Sequence, residues 1–318
     1  MSKSKLEVVI TTYRDPDTDG FACALAYAEF FNRIGKPAVA KLFGRLHRES
    51  LYVLKSLRHK HINKPVSEFS RRKIILVDAS ETKGLDPSVV TKQVVGIIDH
   101  RSANEAGKFI NAEIQIEPVG AAATLIAEKF HKTRQPISRL AAGLLYAGII
   151  SNTLNLKARV TTSRDRKMAN WLFAQAKLPR DLIKGMFLAK SDLTGNKLKK
   201  QMIHDLAWFY IGKKMIGIAQ LEIVGARILI KYRMDDFDRI MARIKRRYHM
   251  DHIFLSIIDL RQGNNTFVCF DPDYRLVLEK TLRVKFKHNI AKWFGLIMRK
   301  EIVPKLHTSQ QRNIIDRI

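Results

Sequence analysis

The chain has 318 residues, 46% apolar and 27% charged, a balance that gives room for two ordinary domains and excludes a disordered chain. Its 57 lysines and arginines stand against 30 acidic residues, and a net charge of +27 attracts polyanions: nucleic acid, polyphosphate, an anionic lipid surface or a small phosphorylated substrate. The chain lacks a run of about 18 apolar residues, opens on the short polar stretch Met1 to Lys5, and has only Cys23 and Cys269, which argues against a membrane helix, a secretory signal and a disulfide framework and points to the cytoplasm. In chain order, Leu6 to Tyr13 is short and β-branched and predicts a strand buried on both faces. It runs into the acidic stretch Asp15-Pro16-Asp17-Thr18-Asp19-Gly20, then a helix over Phe21 to Ile34 that stops at Gly35 and Pro37. Further strands fit Ala38 to Phe43, Lys73 to Asp78 and Val94 to Asp99. Helical patterns follow at Gly120 to His131, Ser138 to Asn152, Ser163 to Ala176 and Pro179 to Ala189. Strands alternating with helices predict a parallel α/β sheet.

The pattern changes after the polar, glycine-containing stretch Lys190 to Lys200, expected to be a linker. Beyond it, a helix over Lys199 to Phe209 precedes strands at Lys214 to Ala219 and Arg227 to Tyr232. A helix at Asp235 to His249, acidic at its start and basic at its end, suits the helix dipole. His252 to Leu260 and Thr266 to Phe270 read as strands, giving a smaller α+β domain.

Three aspartates within five residues exceed what one helix cap needs, and a cation between them would relieve their repulsion. A calcium loop of the EF-hand kind fails, because position twelve is Ala26 and a strand precedes the loop. In open α/β sheets ligands bind beyond the carboxyl ends of strands. Asp17 and Asp19, Asp78, and Asp99 with His100 all fall at such ends. Oxygen ligands with one imidazole suit Mg²⁺ or Mn²⁺, as one ion or two, which can activate water and clamp a phosphoryl oxygen.

At these residues the sequence resembles the DHH phosphoesterase superfamily, in its two-domain branch with manganese-dependent (family II) pyrophosphatases and exopolyphosphatase/prune proteins. Asp15-Pro16-Asp17-Thr18-Asp19 is similar to the family's Asn-Pro-Asp-Thr-Asp, Val77-Asp78-Ala79-Ser80 to its second motif, and Ile97-Ile98-Asp99-His100-Arg101 to its Asp-His-His signature. Gly120 to Thr124, Ala147 to Leu154, and Gly295 to Lys300 with Val303-Pro304 resemble three further segments, in the same order. The resemblance implies an N-terminal parallel-sheet DHH domain with helices on both faces (1–190), a linker (191–197), and a smaller α+β DHH-associated substrate-binding domain (198–318), with the active cleft between them. It implies that Asp17, Asp19, Asp78, His100 and Asn152 surround the metal, that Asp78, His100 and Arg101 are catalytic, and that Arg101, Arg299 and Lys300 hold substrate phosphates.

Four positions depart from the family pattern: Tyr13 replaces a histidine, Arg101 the second signature histidine, Asn152 an aspartate and Ala207 a lysine. Less negative charge and less nitrogen around the metal predict weaker Mn²⁺ binding and a shift towards Mg²⁺. Three functions are compatible with the sequence. The first is a metal-dependent hydrolase of pyrophosphate or short polyphosphate, and the second a catalytically impaired relative that binds a phosphorylated ligand, polyphosphate or RNA through its basic cleft. The third is a nucleic-acid binder using Arg243 to His249 and Val284 to Lys292, where a helix surface and an edge strand are the competing explanations. Either a monomer or a homodimer fits.

Overall fold

Apolar runs too short for helices and rich in Val and Ile form the strands of the first sheet: β1 (Val8–Thr11), β2 (Ala38–Ala40), β3 (Ile74–Val77), β4 (Val94–Asp99) and β5 (Glu113–Ile116). A computed structural model describes residues 8–60, 69, 72–101 and 104–315 of the chain. Met1 to Glu7, which include the first residues of the expected strand, lie outside them. The chain divides into two units, Met1–Ala189 and Lys190–Ile318.

In the first unit the strand order is β2-β1-β3-β4-β5, and every pairing is parallel. The chain leaves β1 for β2 on one side and returns to β3 on the other, so the order reverses between β1 and β3. A crevice opens beyond the carboxyl ends of two strands at such a reversal. The register pairs Thr11 with Leu76, Val77 with Ile98 and Asp99 with Ile116, which brings those ends level. Helices α1 (Thr18–Arg33), α3 (Ala122–Lys132) and α4 (Arg139–Asn152) pack on one another, and α5 (Ser163–Ala176) packs on α4. The other face of the sheet, with Val9, Ile74, Leu76, Val94 and Ile97, is covered by Val89, Ala106 and Phe109, the latter two at a short 3-10 turn (Ala106–Lys108). Two elements had no expectation: α2 (Arg48–Ser56), and the edge strand β5, whose residues Glu113 and Ile114 are exposed.

α6 (Leu182–Ser191) leads into the second unit through a turn in which Asp192 accepts hydrogen bonds from the Thr194 hydroxyl at 2.8 Å and from Lys197. α7 (Lys197–His204) and β6 (Leu206–Ile211) follow, where a single helix to Phe209 was expected. Leu-Ala-Trp-Phe-Tyr-Ile is aromatic-rich and pairs antiparallel with β7 (Lys214–Ile223), a better match than one more helical turn. The strand expected over Arg227 to Tyr232 is instead the first part of α8 (Ala226–Arg247), which breaks at Arg233. Gly225 turns at φ +83°, and the buried Asp259 accepts the Ala226 N–H at 2.9 Å, starting the helix from a distant strand end. β8 (His252–Asp259), β9 (Asn264–Val268), α9 (Pro272–Leu282), β10 (Phe286–Lys287), β11 (Ile290–Trp293) and α10 (Arg299–Ile315) complete the unit. The sheet runs β10-β11-β9-β8-β7-β6, parallel only between β7 and β8. Alternation along β7 puts Ala219, Leu221 and Ile223 under α7 and α8, and Ile216 and Ile218 under α9 and α10. No described helix is long and apolar enough to cross a membrane.

Candidate metal centre

The site is assembled at the strand reversal. β1 ends in Thr11, and the chain turns through Asp15 (φ +55°) into α1, whose N-cap is Asp17. Its Oδ1 accepts the N–H groups of Asp19 (2.9 Å) and Gly20 (3.0 Å), and its own N–H donates to the Tyr13 hydroxyl at 3.1 Å. The cap sets Asp19 in the first helical turn, fully buried, pointing at the start of α3. Asp19 Oδ2 accepts the Ala122 N–H at 2.8 Å, and Oδ1 the Ala123 N–H at 2.9 Å, donors that a helix N-terminus leaves unpaired.

Asp78 follows β3 in a left-handed conformation (φ +51°), an uncommon and strained position for a residue other than glycine. Its Oδ1 lies 3.5 Å from His100 Nε2 and 3.3 Å from Arg101 Nη2. Its Oδ2 is buried with no hydrogen-bond partner among the described residues. Asp99, at the end of β4, accepts the His100 N–H at 2.7 Å and the Ser80 hydroxyl, so it braces the turn and does not face the centre. His100 Nδ1 lies 3.0 Å from the Val119 carbonyl, which can only accept, so that nitrogen carries a proton and Nε2 is the ring atom turned to the carboxylates.

Asp19, Asp78 and His100 thus each offer one ligand atom, all within 4.8 Å of one another. Burial raises both carboxyls: Asp19 is pushed up to about 8, with Asp78 adding to the effect. Asp78 moves up as well, though Arg101 and His100 pull against burial. Two buried carboxylates that resist being charged together, one with an orphaned oxygen, and an imidazole turned towards them fit a hard divalent cation.

Of the other residues expected here, Asp17 stands outside this trio. Burial pushes its carboxyl up, but the Gly20 N–H, His47 and Arg101 outweigh it, and the carboxyl ends below the ordinary range, as a helix cap should. Asn152 turns its amide nitrogen onto Asp19 Oδ2 at 2.7 Å. An amide beside a carboxylate presents N–H and not oxygen, so Asn152 faces Asp19 as a donor. Arg101 spans Asp78 and Asp99 (3.9 Å from Asp99 Oδ2), lies over the Tyr13 ring at 5.4 Å and keeps 37% of its side chain exposed; despite burial, the neighbouring carboxylates hold its charge firmly. In the second unit Arg299 Nη1 donates to the Asp205 and Ile218 carbonyls (3.3 Å for the latter), so part of its guanidinium is committed to backbone; burial pulls its pKa down. Lys300 is exposed, and Ala207 lies on β6.

Several supporting groups were given no role by the sequence. Ser80 and the Val119 carbonyl orient Asp99 and His100. Glu49 of α2, almost fully buried, accepts from Thr18 (2.9 Å) and Ser151 (2.7 Å), joining the first turn of α1 to the end of α4. Asp165 of α5 accepts the Gly120 N–H (2.9 Å) and the Thr124 hydroxyl (2.6 Å), fixing the loop that starts α3.

The sequence profile of the DHH family, N-terminal domain, matches residues 7–149, a span that contains all three residues of the trio. Residues 7–149 therefore resemble a DHH N-terminal domain. The chain is similar, at 26% identity over 94% of its length and 96% of the relative, to a "probable manganese-dependent inorganic pyrophosphatase" of Clostridium acetobutylicum. It is similar at 27% identity, over 94% of the chain and 97% of the relative, to a manganese-dependent inorganic pyrophosphatase of Bacillus subtilis. Its fold matches the crystal structure of a putative family II inorganic pyrophosphatase from Methanococcus jannaschii, with a TM-score of 0.76 and 24% identity over 94% of this chain and 98% of that one.

Proposed function

We propose that this protein is a metal-dependent hydrolase of phosphoanhydride bonds, with inorganic pyrophosphate its first substrate and short polyphosphate the next. One observation carries the reading: Asp19, Asp78 and His100 converge within 4.8 Å, in a chain similar along 94% of its length to proteins named manganese-dependent pyrophosphatases. The trio would hold one divalent ion, Mn²⁺ in preference to Mg²⁺, because His100 supplies an imidazole and the relatives are named manganese-dependent, which reverses the shift towards Mg²⁺ expected from the four departures. When bound, that ion supplies Lewis acidity: it makes water a nucleophile near neutral pH and neutralises phosphoryl charge.

The protein's own groups do the rest. The α3 N-terminus and Asn152 hold Asp19 in place, and the Val119 carbonyl fixes the His100 ring. Arg101 places a permanent positive charge beside Asp78 at the rim of the centre. Its partly exposed guanidinium holds a phosphoryl oxygen of the substrate and offsets charge as the bond breaks. Arginine does not exchange protons near neutral pH, so its role is electrostatic.

The test is phosphate release by the purified protein from pyrophosphate, tripolyphosphate, a nucleoside triphosphate and a short oligonucleotide, with Mn²⁺ or Mg²⁺. Pyrophosphate is turned over fastest, with Mn²⁺ the better ion, and Asp78→Asn lowers the rate by at least about a hundredfold. Equal release by wild type and Asp78→Asn identifies a contaminating phosphatase. Mn²⁺ binding without release from any substrate makes the protein a binder of phosphorylated ligands and not a hydrolase.

A further inference from the structure

The second unit carries a concave basic site that shares no residue with the metal centre. A pocket of about 180 Å³ opens between the start of α7 and the middle of α8, lined by Gly195, Asn196, Lys199, Arg233, Asp236, Arg239, Ile240 and Arg243. Four cations therefore face one carboxylate. Asp236 is already used on both oxygens: Arg233 Nε donates to Oδ2, and Arg239 Nη2 to Oδ1 at 2.6 Å. These bonds hold its carboxyl below the ordinary range and pin the two guanidinium groups as a scaffold. Lys199 and Arg243 are exposed and make no ion pair or hydrogen bond among the described residues.

Residues 236, 239, 240 and 243 fall at helical spacings of three and four, so Arg239 and Arg243 stand one turn apart on one stripe of α8. The adjoining stripe, Phe237, Met241 and Ile244, is buried and keeps that face fixed. The α7 side adds a second source of positive potential. Asn196 occupies the N-cap position but makes no side-chain cap bond; the Lys197 N–H donates to the Thr194 carbonyl at 3.1 Å, and the next N–H groups of the first turn stand beside Lys199.

We propose that this pocket binds a small, multiply charged phosphate anion, such as pyrophosphate or tripolyphosphate, without a metal ion. Lys199 and Arg243 contact the phosphate oxygens, and the Asp236-clamped guanidinium groups and the start of α7 complete the positive wall. The chemistry favours an inorganic anion over RNA. The pocket is concave, and its lining includes no aromatic ring on which a base could stack.

The experiment is calorimetric titration of tripolyphosphate into the full-length protein in EDTA. Wild type shows one saturable site that weakens as salt is raised. Lys199→Glu and Arg243→Glu each reduce the affinity about tenfold or more. Arg246→Glu, an equal charge change on an exposed residue outside the pocket, shifts it by no more than about twofold. Arg101→Gln, at the metal centre, binds like wild type. Arg243→Gln, which removes the charge without reversing it, gives an intermediate loss, and matching thermal melts establish that the variants fold. An Arg246→Glu loss as large as that of Arg243→Glu reduces the site to general surface charge and overturns the proposal. So does loss of binding in Arg101→Gln, which places the anion at the metal centre. Single-stranded RNA that outcompetes tripolyphosphate, and is itself lost in Arg243→Glu, overturns it in favour of a nucleic-acid surface.

Discussion

Asp19 gathers two backbone N–H groups, the Asn152 amide and, at 3.5 Å, the Cys23 thiol around one fully buried carboxyl. The Asn152 contact separates charge from shape. Replacing that amide by a carboxylate of the same size adds a ligand and also a like charge. Asn152→Asp therefore tightens Mn²⁺ binding by about tenfold or more and lowers the melting temperature of the metal-free protein, measurable by calorimetry and thermal denaturation in EDTA. The sign of the pH dependence follows from Asp19 as well. Its pKa is pushed up to about 8, against about 4 for an unfolded aspartate. Between those values the metal-free fold binds a proton that the unfolded chain does not. The stabilisation is complete below about pH 4 and is lost as pH rises through about 8. A cation must displace the same proton, so Mn²⁺ affinity climbs with pH and levels off above about pH 8. Denaturant unfolding in EDTA and titrations across that range check both trends, and Asp19→Asn removes them.

At the scale of elements, the centre depends on how closely helices approach. A Cβ at Gly148 of α4 would stand 3.2 Å from Asp19 Oδ1 and 3.3 Å from its Cα, so Gly148→Ala pushes α4 away from α1 beside the ligand. The expected result is destabilisation of about 1–3 kcal/mol by urea unfolding, with Mn²⁺ affinity lowered more than the modest volume change suggests. Asp165 acts one layer further out, where the Thr162–Asp165 capping box starts α5 and the same carboxylate holds Gly120 and Thr124. Asp165→Ala leaves several buried donors unpaired and lowers stability by about 3 kcal/mol, with a parallel loss of metal affinity as the α3 start loosens. The strands ending in Asp78 and Asp99 were legible because apolar runs of strand length stop at charged residues. The first part of α8 was not. Ile228, Leu229 and Ile230 fit a strand locally, and what makes them helical is Asp259, 33 residues away, accepting the Ala226 N–H.

At the scale of the molecule, the +27 charge is a long-range field that salt screens. For pyrophosphate the expected outcome is a KM that rises several-fold between about 0.05 and 0.5 M salt, with kcat changing less, because the field acts on encounter and not on bond breaking. Steady-state kinetics at fixed free Mn²⁺ measure it.

The sequence by itself determined the α/β class, the change of pattern near residue 190 and the placing of Asp17, Asp19, Asp78 and His100 at strand ends, because apolar period and chain-terminating acids are local properties. Only the tertiary structure decided which of those carboxylates converge with His100, that Asp17 caps a helix, and that Asn152 presents its nitrogen. It also decided that basic residues from α7 and α8 line a second pocket. Each of those outcomes depends on where a lone pair or an N–H points once distant segments pack, and direction is not written in the order of residues.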